Sequence, residues 1–221
     1  MADISVTFAG RKLRNPLGVA SHALTSPEHD PQALADHLNG YVEAGAAFVY
    51  TPFINPEARH PKGFAPAYKF MGIGSREPFG REGLLVATDA ERIMSRLDDG
   101  LKLIDLLKKS LPADVPVIAN IIGPGSDASG WGTFAKKFED AGADIIEMNV
   151  SCPIPACTAD AVGSYASGEM PSSAGSLLGD SPALLEPVVQ AVVDAVSIPV
   201  GVKMTPETGF PRLVGVAEAI Q

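Results

Sequence analysis

Hydrophobic positions along the chain alternate between short continuous apolar runs and longer stretches with helical spacing. The apolar runs predict strands at residues 17–21, 46–50, 115–122, 143–150 and 199–204. The helical stretches are 31–44, 91–111 (with a possible break at Gly100), 130–141, 183–196 and 212–221. An N-terminal β-hairpin is expected from residues 4–8 and 12–14 around the Ala9-Gly10 turn. Because the apolar runs lack alternation, they are typical of parallel strands buried on both faces, and five strand–helix units of an α/β fold are predicted.

This alternation fits two architectures, an open doubly wound sheet and a (β/α)8 barrel. Two long segments rich in Gly, Pro and Ser, residues 52–88 and 152–182, each follow a predicted strand. The carboxyl ends of parallel strands form the catalytic edge in both architectures, so we expect both segments to be functional loops. Gly72-Ile73-Gly74 lacks a strand–turn–helix context and predicts a turn rather than a dinucleotide fingerprint.

Composition narrows the class of protein. The 221 residues are 46% hydrophobic with a net charge of −9, which argues against nucleic acid or an anionic membrane as a partner. Two cysteines exclude a disulfide-rich secreted scaffold, and no signal sequence or long apolar stretch is visible. We therefore expect a cytoplasmic protein without a membrane span.

Four motifs in a fixed order make the interpretation specific. They are Asn15-Pro-Leu-Gly-Val-Ala-Ser21, Val117-Ile-Ala-Asn-Ile-Ile-Gly123, Asn149-Val-Ser-Cys-Pro153 and Pro199-Val-Gly-Val-Lys-Met-Thr-Pro206. Together they resemble the flavin-dependent dihydroorotate dehydrogenase and dihydropyrimidine dehydrogenase family, with the pyrimidine-reducing branch most similar around the first motif. The resemblance implies a (β/α)8 TIM barrel with FMN across the carboxyl ends of its strands. Residues 1–221 would then be the N-terminal part of a single FMN-binding domain.

The resemblance also implies roles for individual residues. FMN would contact Ala20, Ser21, Thr51, Asn120, Asn149 and Lys203. The substrate, a small molecule, would be held by Asn149, Val150 and Ser151. Cys152 would transfer the proton, since the reference pKa of cysteine, about 8.5, suits either an acid or a base. No metal is expected, because Cys152 and Cys157 alone do not make a closed site and the four histidines are distant in sequence.

Three departures from the family pattern concern the substrate. Thr51-Pro52 stands where the family carries a lysine, and Gly72 and Gly74 align with positions that carry an asparagine and an acidic residue in pyrimidine-reducing enzymes. The segment 154–176 also differs from the family's usual loop. Because a site without those polar groups loses discrimination for a polar ring, we predict a wider, less polar pocket for another C=C bond conjugated to a carbonyl.

The remaining expectations concern completeness and partners. Five units cannot close an eight-stranded barrel, so we expect further residues of a longer product, or another chain, to complete it. No iron–sulfur cysteine cluster occurs in this sequence, so electrons would come from a partner subunit, a carrier or a second substrate. We also expect a homo-oligomer. Two alternatives stay open: a catalytically silent barrel subunit of a redox complex, and a flavin-free lyase that uses Lys203 as a Schiff-base amine.

Overall fold

The computed structural model describes residues 2–21, 30–55, 68–73, 83–88, 95–125, 127–151, 176–205, 209 and 212–221. Its strands are β1 (Val6–Phe8), β2 (Arg11–Leu13), β3 (Gly18–Val19), β4 (Phe48–Tyr50), β5 (Ile54–Asn55), β6 (Tyr68–Ile73), β7 (Gly83–Thr88), β8 (Ser95–Arg96), β9 (Val117–Ile121), β10 (Ile145–Asn149) and β11 (Val200–Lys203). Its helices are α1 (Pro31–Glu43), α2 (Leu97–Ser110), α3 (Ala128–Asp140), α4 (Ser176–Gly179), α5 (Pro182–Ala195) and α6 (Arg212–Ala219). The predicted N-terminal hairpin is confirmed as β1–β2, and the predicted α/β alternation follows it.

The main sheet is parallel, and its strands lie side by side in chain order, β3–β4–β9–β10–β11. Three pairs of facing residues matter below: Tyr50 and Ile118, Asn120 and Glu147, Asn149 and Lys203. An order that never reverses means that every crossover steps to the same side, whereas a doubly wound sheet changes direction at its switch point. The order therefore favours the barrel of the two predicted architectures. In the part of the chain that the structure describes, the sheet is open between β3 and β11.

The helices pack against one face of this sheet and build the core. Fully buried side chains from the strands and from α1, α2, α3 and α5 join one apolar cluster. Asp30 begins α1 by accepting hydrogen bonds from the N–H groups of Gln32 and Ala33, and Pro31 takes the first helical position, where its missing N–H costs nothing. Trp131 of α3 is fully buried and donates its indole N–H to the carbonyl of Gly125 at 2.9 Å. No helix in the described ranges is both long enough and apolar enough to cross a membrane.

The segment 52–88 contains more regular structure than a long loop. β6 and β7 form an antiparallel pair, and β5 pairs in parallel with β8 and β9. The predicted turn at residues 72–74 is wrong at Gly72, which lies within β6 opposite Leu84; Gly74 lies outside the described residues. The β5 strand was missed because its partners β8 and β9 are distant in sequence. The neighbouring strands β6 and β7 were missed because the Gly and Pro content around them is typical of loops.

The helix predicted over residues 91–111 begins later and does not break at Gly100. Ser95–Arg96 forms the short strand β8, so the helix begins at Leu97. Gly100 is buried in α2, and a Cβ added there would come within 2.6 Å of the Ile54 side chain. This glycine therefore allows close packing of helix on strand, and the pairing of β8 with β5 decides where the helix starts. Of the second long segment, residues 152–175 lie outside the description and α4 begins at Ser176.

The contact between α3 and α5 depends on Gly132. A Cβ added there would lie 2.8 Å from the backbone carbonyl oxygen of Ala191. We expect Gly132→Ala to lower the free energy of unfolding by about 1–3 kcal/mol, because a backbone atom cannot yield as a flexible side chain can. Gly40→Ala is the matched control: it is exposed within α1 with nothing within 4 Å of its added Cβ. This control should gain about 0.5–1 kcal/mol from helix propensity. Urea denaturation of both full-length variants measures the two changes in the free energy of unfolding. Equal changes in Gly132→Ala and Gly40→Ala would refute the close approach of α3 to α5.

Candidate active site

The strands of the main sheet have two faces of different chemistry, because successive residues of a strand point to opposite sides. One face belongs to the apolar core through Val49, Val117, Ala119, Ile121, Ile146, Met148 and Val150. Residues of the opposite parity form the other face, which we call the inner face and define by Tyr50, Ile118, Asn120, Glu147, Asn149 and Lys203. Five of these six are polar. They cluster near the carboxyl ends of the strands, which is the catalytic edge of barrel folds.

A continuous row of hydrogen bonds crosses β9, β10 and β11 on the inner face. The Asn120 Nδ2 donates to Glu147 Oε1 at 2.5 Å, and the Asn120 Oδ1 accepts from Asn149 Nδ2 at 3.1 Å. The Asn149 Oδ1 in turn accepts from Lys203 Nζ at 3.5 Å and from the backbone N–H of Ser151 at 3.2 Å. Asn120 and Asn149 are 0% and 2% exposed, and their amides are therefore held by protein partners rather than by water. The structure thus brings together three of the predicted FMN-contacting residues.

Glu147 and Tyr50 join this row, although the sequence analysis does not select them. Burial raises the pKa of the Glu147 carboxyl, while hydrogen bonds from Asn120 and Tyr50 and the charge of Lys203 act in the opposite direction. Burial raises the pKa of the Tyr50 phenol, and the charge of Glu147 and the hydrogen bond to it act in the same direction. The phenol therefore stays protonated, and its O–H donates a hydrogen bond to Glu147. One sequence signal could have found Glu147: it lies two residues before Asn149 in an otherwise apolar strand, and hence on the same face.

The hydroxyl of Ser21 lies at the carboxyl end of β3. Its oxygen is buried, and it is the one buried side-chain polar atom in the described residues without a hydrogen-bond partner. Native proteins rarely leave such a group unsatisfied, because desolvation without a compensating bond is costly. A bound polar cofactor would supply the partner. The ammonium of Lys203, the two asparagine amides and this hydroxyl together match the donors and acceptors of a flavin ring, so the residues present fit FMN.

The other predicted site residues take different places. Thr51 is fully buried, and its hydroxyl accepts the backbone N–H of Asn120 at 3.1 Å. The side chain of Val150 lies in the apolar core and its N–H donates to the Lys203 carbonyl at 3.1 Å. Ala20 is exposed at the end of β3, and Ser151 is half-buried. The structure therefore does not place the side chains of Thr51 and Val150 on the inner face; Cys152 lies outside the described residues.

A family model and several curated proteins are similar to this chain. The model described as dihydrouridine synthase (Dus) matches residues 124–207, which include β10, Cys152 and β11. The dihydropyrimidine dehydrogenase subunit PreA of Escherichia coli K12, which is described as NAD-dependent, is 28% identical over 94% of this chain and 43% of its own length.

Two archaeal relatives carry the name dihydroorotate dehydrogenase B (NAD(+)), catalytic subunit. The protein from Methanosarcina mazei is 35% identical over 95% of this chain and 54% of its own length. The protein from Thermoplasma acidophilum is 27% identical over the whole chain and 60% of its own length. This chain therefore spans between 43% and 60% of the curated relatives compared. The similarity extends over nearly all of the chain, so the resemblance carried by the four motifs is confirmed: this chain is similar to proteins named as dihydroorotate and dihydropyrimidine dehydrogenase subunits.

Proposed function

We propose that this chain forms part of an FMN-dependent oxidoreductase that reduces or oxidises a C=C bond conjugated to a carbonyl. The observation that carries the proposal is the hydrogen-bonded row Asn120–Asn149–Lys203 at the carboxyl ends of three adjacent parallel strands. Amide and ammonium groups at that edge suit the polar rim of a flavin ring. The buried, unpartnered hydroxyl of Ser21 supports the same cofactor from two strands away. Ala20 completes the proposed set of contacts, and Thr51 would contribute only backbone atoms because its hydroxyl is bound to the Asn120 N–H.

Two side chains have chemical roles in the proposed reaction. When bound, FMN supplies a hydride to one substrate carbon or accepts it from that carbon. The Lys203 ammonium stabilises the negative charge that develops beside it on reduction. Cys152 gives a proton to the neighbouring carbon when the C=C bond is reduced, takes one when the saturated bond is oxidised, and exchanges it with solvent afterwards. Asn149 and Ser151 hold the substrate, while Val150 can contribute only its backbone carbonyl, because its side chain lies in the apolar core and its N–H is bound to the Lys203 carbonyl.

The proposed substrate is not a standard pyrimidine. Gly72, one of the two glycines aligned with polar family positions, lies in β6 and has no side chain to bond a polar ring. Thr51, which stands where the family carries a lysine, uses its hydroxyl to bind the backbone of Asn120. A pocket without these groups cannot discriminate strongly in favour of uracil or dihydroorotate. We infer that a wider, less polar cyclic enone or amide is bound.

The electrons are proposed to come from a partner. The E. coli and the archaeal relatives are both named as subunits. The sequence of this chain contains no iron–sulfur cysteine cluster. A partner subunit or a soluble carrier would therefore re-reduce or re-oxidise the flavin, while this chain would hold the substrate and the cofactor. We also propose a homo-oligomer in the cytoplasm.

The first test is the visible absorption spectrum of the purified full-length protein. We expect a flavin spectrum that bleaches on anaerobic reduction, release of FMN on denaturation, and turnover of cyclic enones in preference to uracil and dihydroorotate. Lys203→Met should weaken FMN binding about tenfold through loss of a charged hydrogen-bond donor. Lys102→Met, an exposed lysine of α2, is the matched control and should leave binding unchanged.

Three results would each overturn part of this proposal. A colourless protein that ignores added FMN would remove the oxidoreductase, and borohydride trapping of a substrate at Lys203 would then test the lyase alternative. Tight binding and turnover of uracil or dihydroorotate would leave the cofactor in place and refute the proposed substrate. A protein that binds FMN but is reduced by no substrate would point to the silent subunit.

A further inference from the structure

The direction of the hydrogen-bonded row is fixed at both ends. Glu147 accepts at one end, and the Lys203 ammonium and the backbone N–H of Ser151, which can only donate, bind the Asn149 oxygen at the other. An ionised carboxylate can only accept hydrogen bonds, so the NH₂ group of Asn120 must face it. The Asn120 oxygen is then turned to the NH₂ group of Asn149, and the Asn149 oxygen to Lys203 and to the N–H of Ser151. Each amide in the row has one orientation because the groups at both ends require the same one. A neutral amide at position 147 could donate or accept, so the orientation of Asn120 would then depend only on the donors at the Lys203 end of the row.

We propose that Glu147 is a positioning residue of the cofactor site: its carboxylate anchors Asn120 and, through Asn120, holds Asn149 in place with its amide oxygen facing Lys203. This inference rests on the proposed function and adds a residue that does not itself touch the cofactor. Without the carboxylate, Asn120 would lose a charge-assisted partner and could turn, and the Asn149 NH₂ would lose its acceptor. The Asn149 oxygen that binds the Lys203 ammonium would then be held less firmly.

The burial of the Glu147 carboxylate lowers the stability of the folded protein. Glu147 lies within a buried strand, and removing its charge from water is only partly offset by Asn120, Tyr50 and Lys203. A residue kept only for stability would not be expected to carry such a cost, whereas strained or costly groups concentrate at functional sites. Glu147→Gln is close to isosteric and removes the charge. This variant should therefore separate a role in stability from a role in positioning: the free energy of unfolding is retained or increased, and FMN binding is weakened.

The pH dependence of this effect has a definite sign. The charged and titratable groups that face Glu147 in the described residues are Tyr50 from β4 and Lys203 from β11, while Asn120 faces it from β9 without a charge. Because the pKa of Glu147 is raised in the fold, the native protein binds its proton more tightly than the unfolded chain does. The carboxyl therefore favours the folded state most below its ordinary pKa, and this contribution is lost as the pH rises through the raised value. The free energy of unfolding of Glu147→Gln should therefore exceed that of the native protein only when the pH is above the raised pKa of Glu147, and not in acid.

The experiment compares FMN affinity and stability in the same full-length proteins. After removal of FMN, the affinity is measured by titration with FMN fluorescence, and the free energy of unfolding by urea denaturation between pH 4 and pH 8. We expect Glu147→Gln to weaken FMN binding about tenfold, the loss of one oriented, charge-assisted contact. Its apoprotein should be at least as stable as the native one at pH 8. Tyr50→Phe, which removes one donor to Glu147, should weaken binding by a smaller factor and gives a second measurement if Glu147→Gln does not fold.

Glu139→Gln is the matched control. Hydrogen bonds from Lys136 and Ser197 lower the pKa of Glu139 to about 2, so this carboxylate stabilises the fold above its ordinary pKa and loses that effect as the pH falls. It lies in α3, which packs on the other face of the sheet. Glu139→Gln should therefore lower stability at neutral pH and leave FMN affinity unchanged, the reverse of Glu147→Gln on both measurements.

Three other outcomes of this experiment would contradict either the positioning role of Glu147 or the proposed function. Native FMN affinity in a folded Glu147→Gln protein would refute the positioning role while the proposed function stood. A loss of FMN affinity together with a loss of apoprotein stability at pH 8 would make Glu147 a structural residue. A native protein that does not bind FMN would refute the proposed function itself, and this inference with it.

Discussion

Replacing Cys152 by alanine is expected to lower turnover about 10²–10⁴-fold, the usual contribution of a positioned general acid or base. The proton at the substrate carbon would have no other donor or acceptor among the proposed site residues. FMN content and chemical reduction of the bound flavin should stay native, because the row formed by Asn120, Asn149 and Lys203 is intact in the variant. Steady-state kinetics with a cyclic enone, beside the absorption spectrum, measures both quantities.

Cys157→Ala is the matched control for this prediction. It is the second of the two cysteines in the chain and lies outside the Asn149–Pro153 motif. We expect native turnover from it. Equal losses in both variants would mean that the segment, and not the Cys152 thiol, is what turnover needs. Unchanged turnover in Cys152→Ala would exclude the thiol as the proton-transfer group.

Asp144→Ala is expected to lower the free energy of unfolding by about 2–4 kcal/mol, the largest stability effect that we predict. The Asp144 carboxylate is 8% exposed and accepts the backbone N–H of Val117 at 2.9 Å. It also binds Lys108 at 2.8 Å and Arg11 at 3.1 Å, which joins β9, α2 and the N-terminal hairpin. Most of the loss should come from the buried N–H of Val117, because both cations are partly exposed and can turn to water.

Two further variants sharpen this measurement. Asp144→Asn keeps an oxygen for the Val117 N–H and should restore about half of the lost stability. Asp105→Ala in α2 removes an ion pair with Lys109 whose side chains are 52% and 70% exposed, and it should cost less than about 0.5 kcal/mol. Urea denaturation of the full-length proteins gives all three values. A cost for Asp144→Ala no larger than that for Asp105→Ala would show that the buried hydrogen bond contributes little.

The two ends of the sheet therefore differ in what their polar residues do. Asp144 precedes β10 at the amino end and ties three elements together. Glu147 and Asn149 lie further along the same strand, where the row of hydrogen bonds reaches Lys203. In barrel folds the amino ends of the strands serve stability and the carboxyl ends serve function. A screen of variants along β10 should reproduce this division, with loss of stability at Asp144 and loss of cofactor binding at Glu147 and Asn149.

Periodicity was enough to predict the elements with strong local signals. The five strands of the main sheet and the helices around them are found close to the predicted bounds, because continuous apolar runs and helical spacing are local properties. The errors have two causes. The neighbouring strands β6 and β7 lie in a segment whose Gly and Pro content is typical of loops. The short strand β8 pairs with β5, which is distant in sequence, so the start of α2 was predicted too early.

The candidate site also contains residues that the sequence could predict and residues that only the tertiary structure brings together. The family resemblance carried by the four motifs pointed to Asn120, Asn149 and Lys203, and three consecutive strands bring these residues together. Alternation along β10 could have placed Glu147 on the face of Asn149. The sequence could not show that Glu147 meets Asn120 and Tyr50 there, since that follows from the register of β4, β9 and β10. Nor could it show that Thr51 and Val150 face away, although strand alternation requires it once the register is known. The amino-acid sequence thus determined most of the elements and the family resemblance, because these follow from local pattern and from the order of the motifs. Only the tertiary structure decided which side chains share a face, because strand register sets that and is fixed by contacts between distant residues.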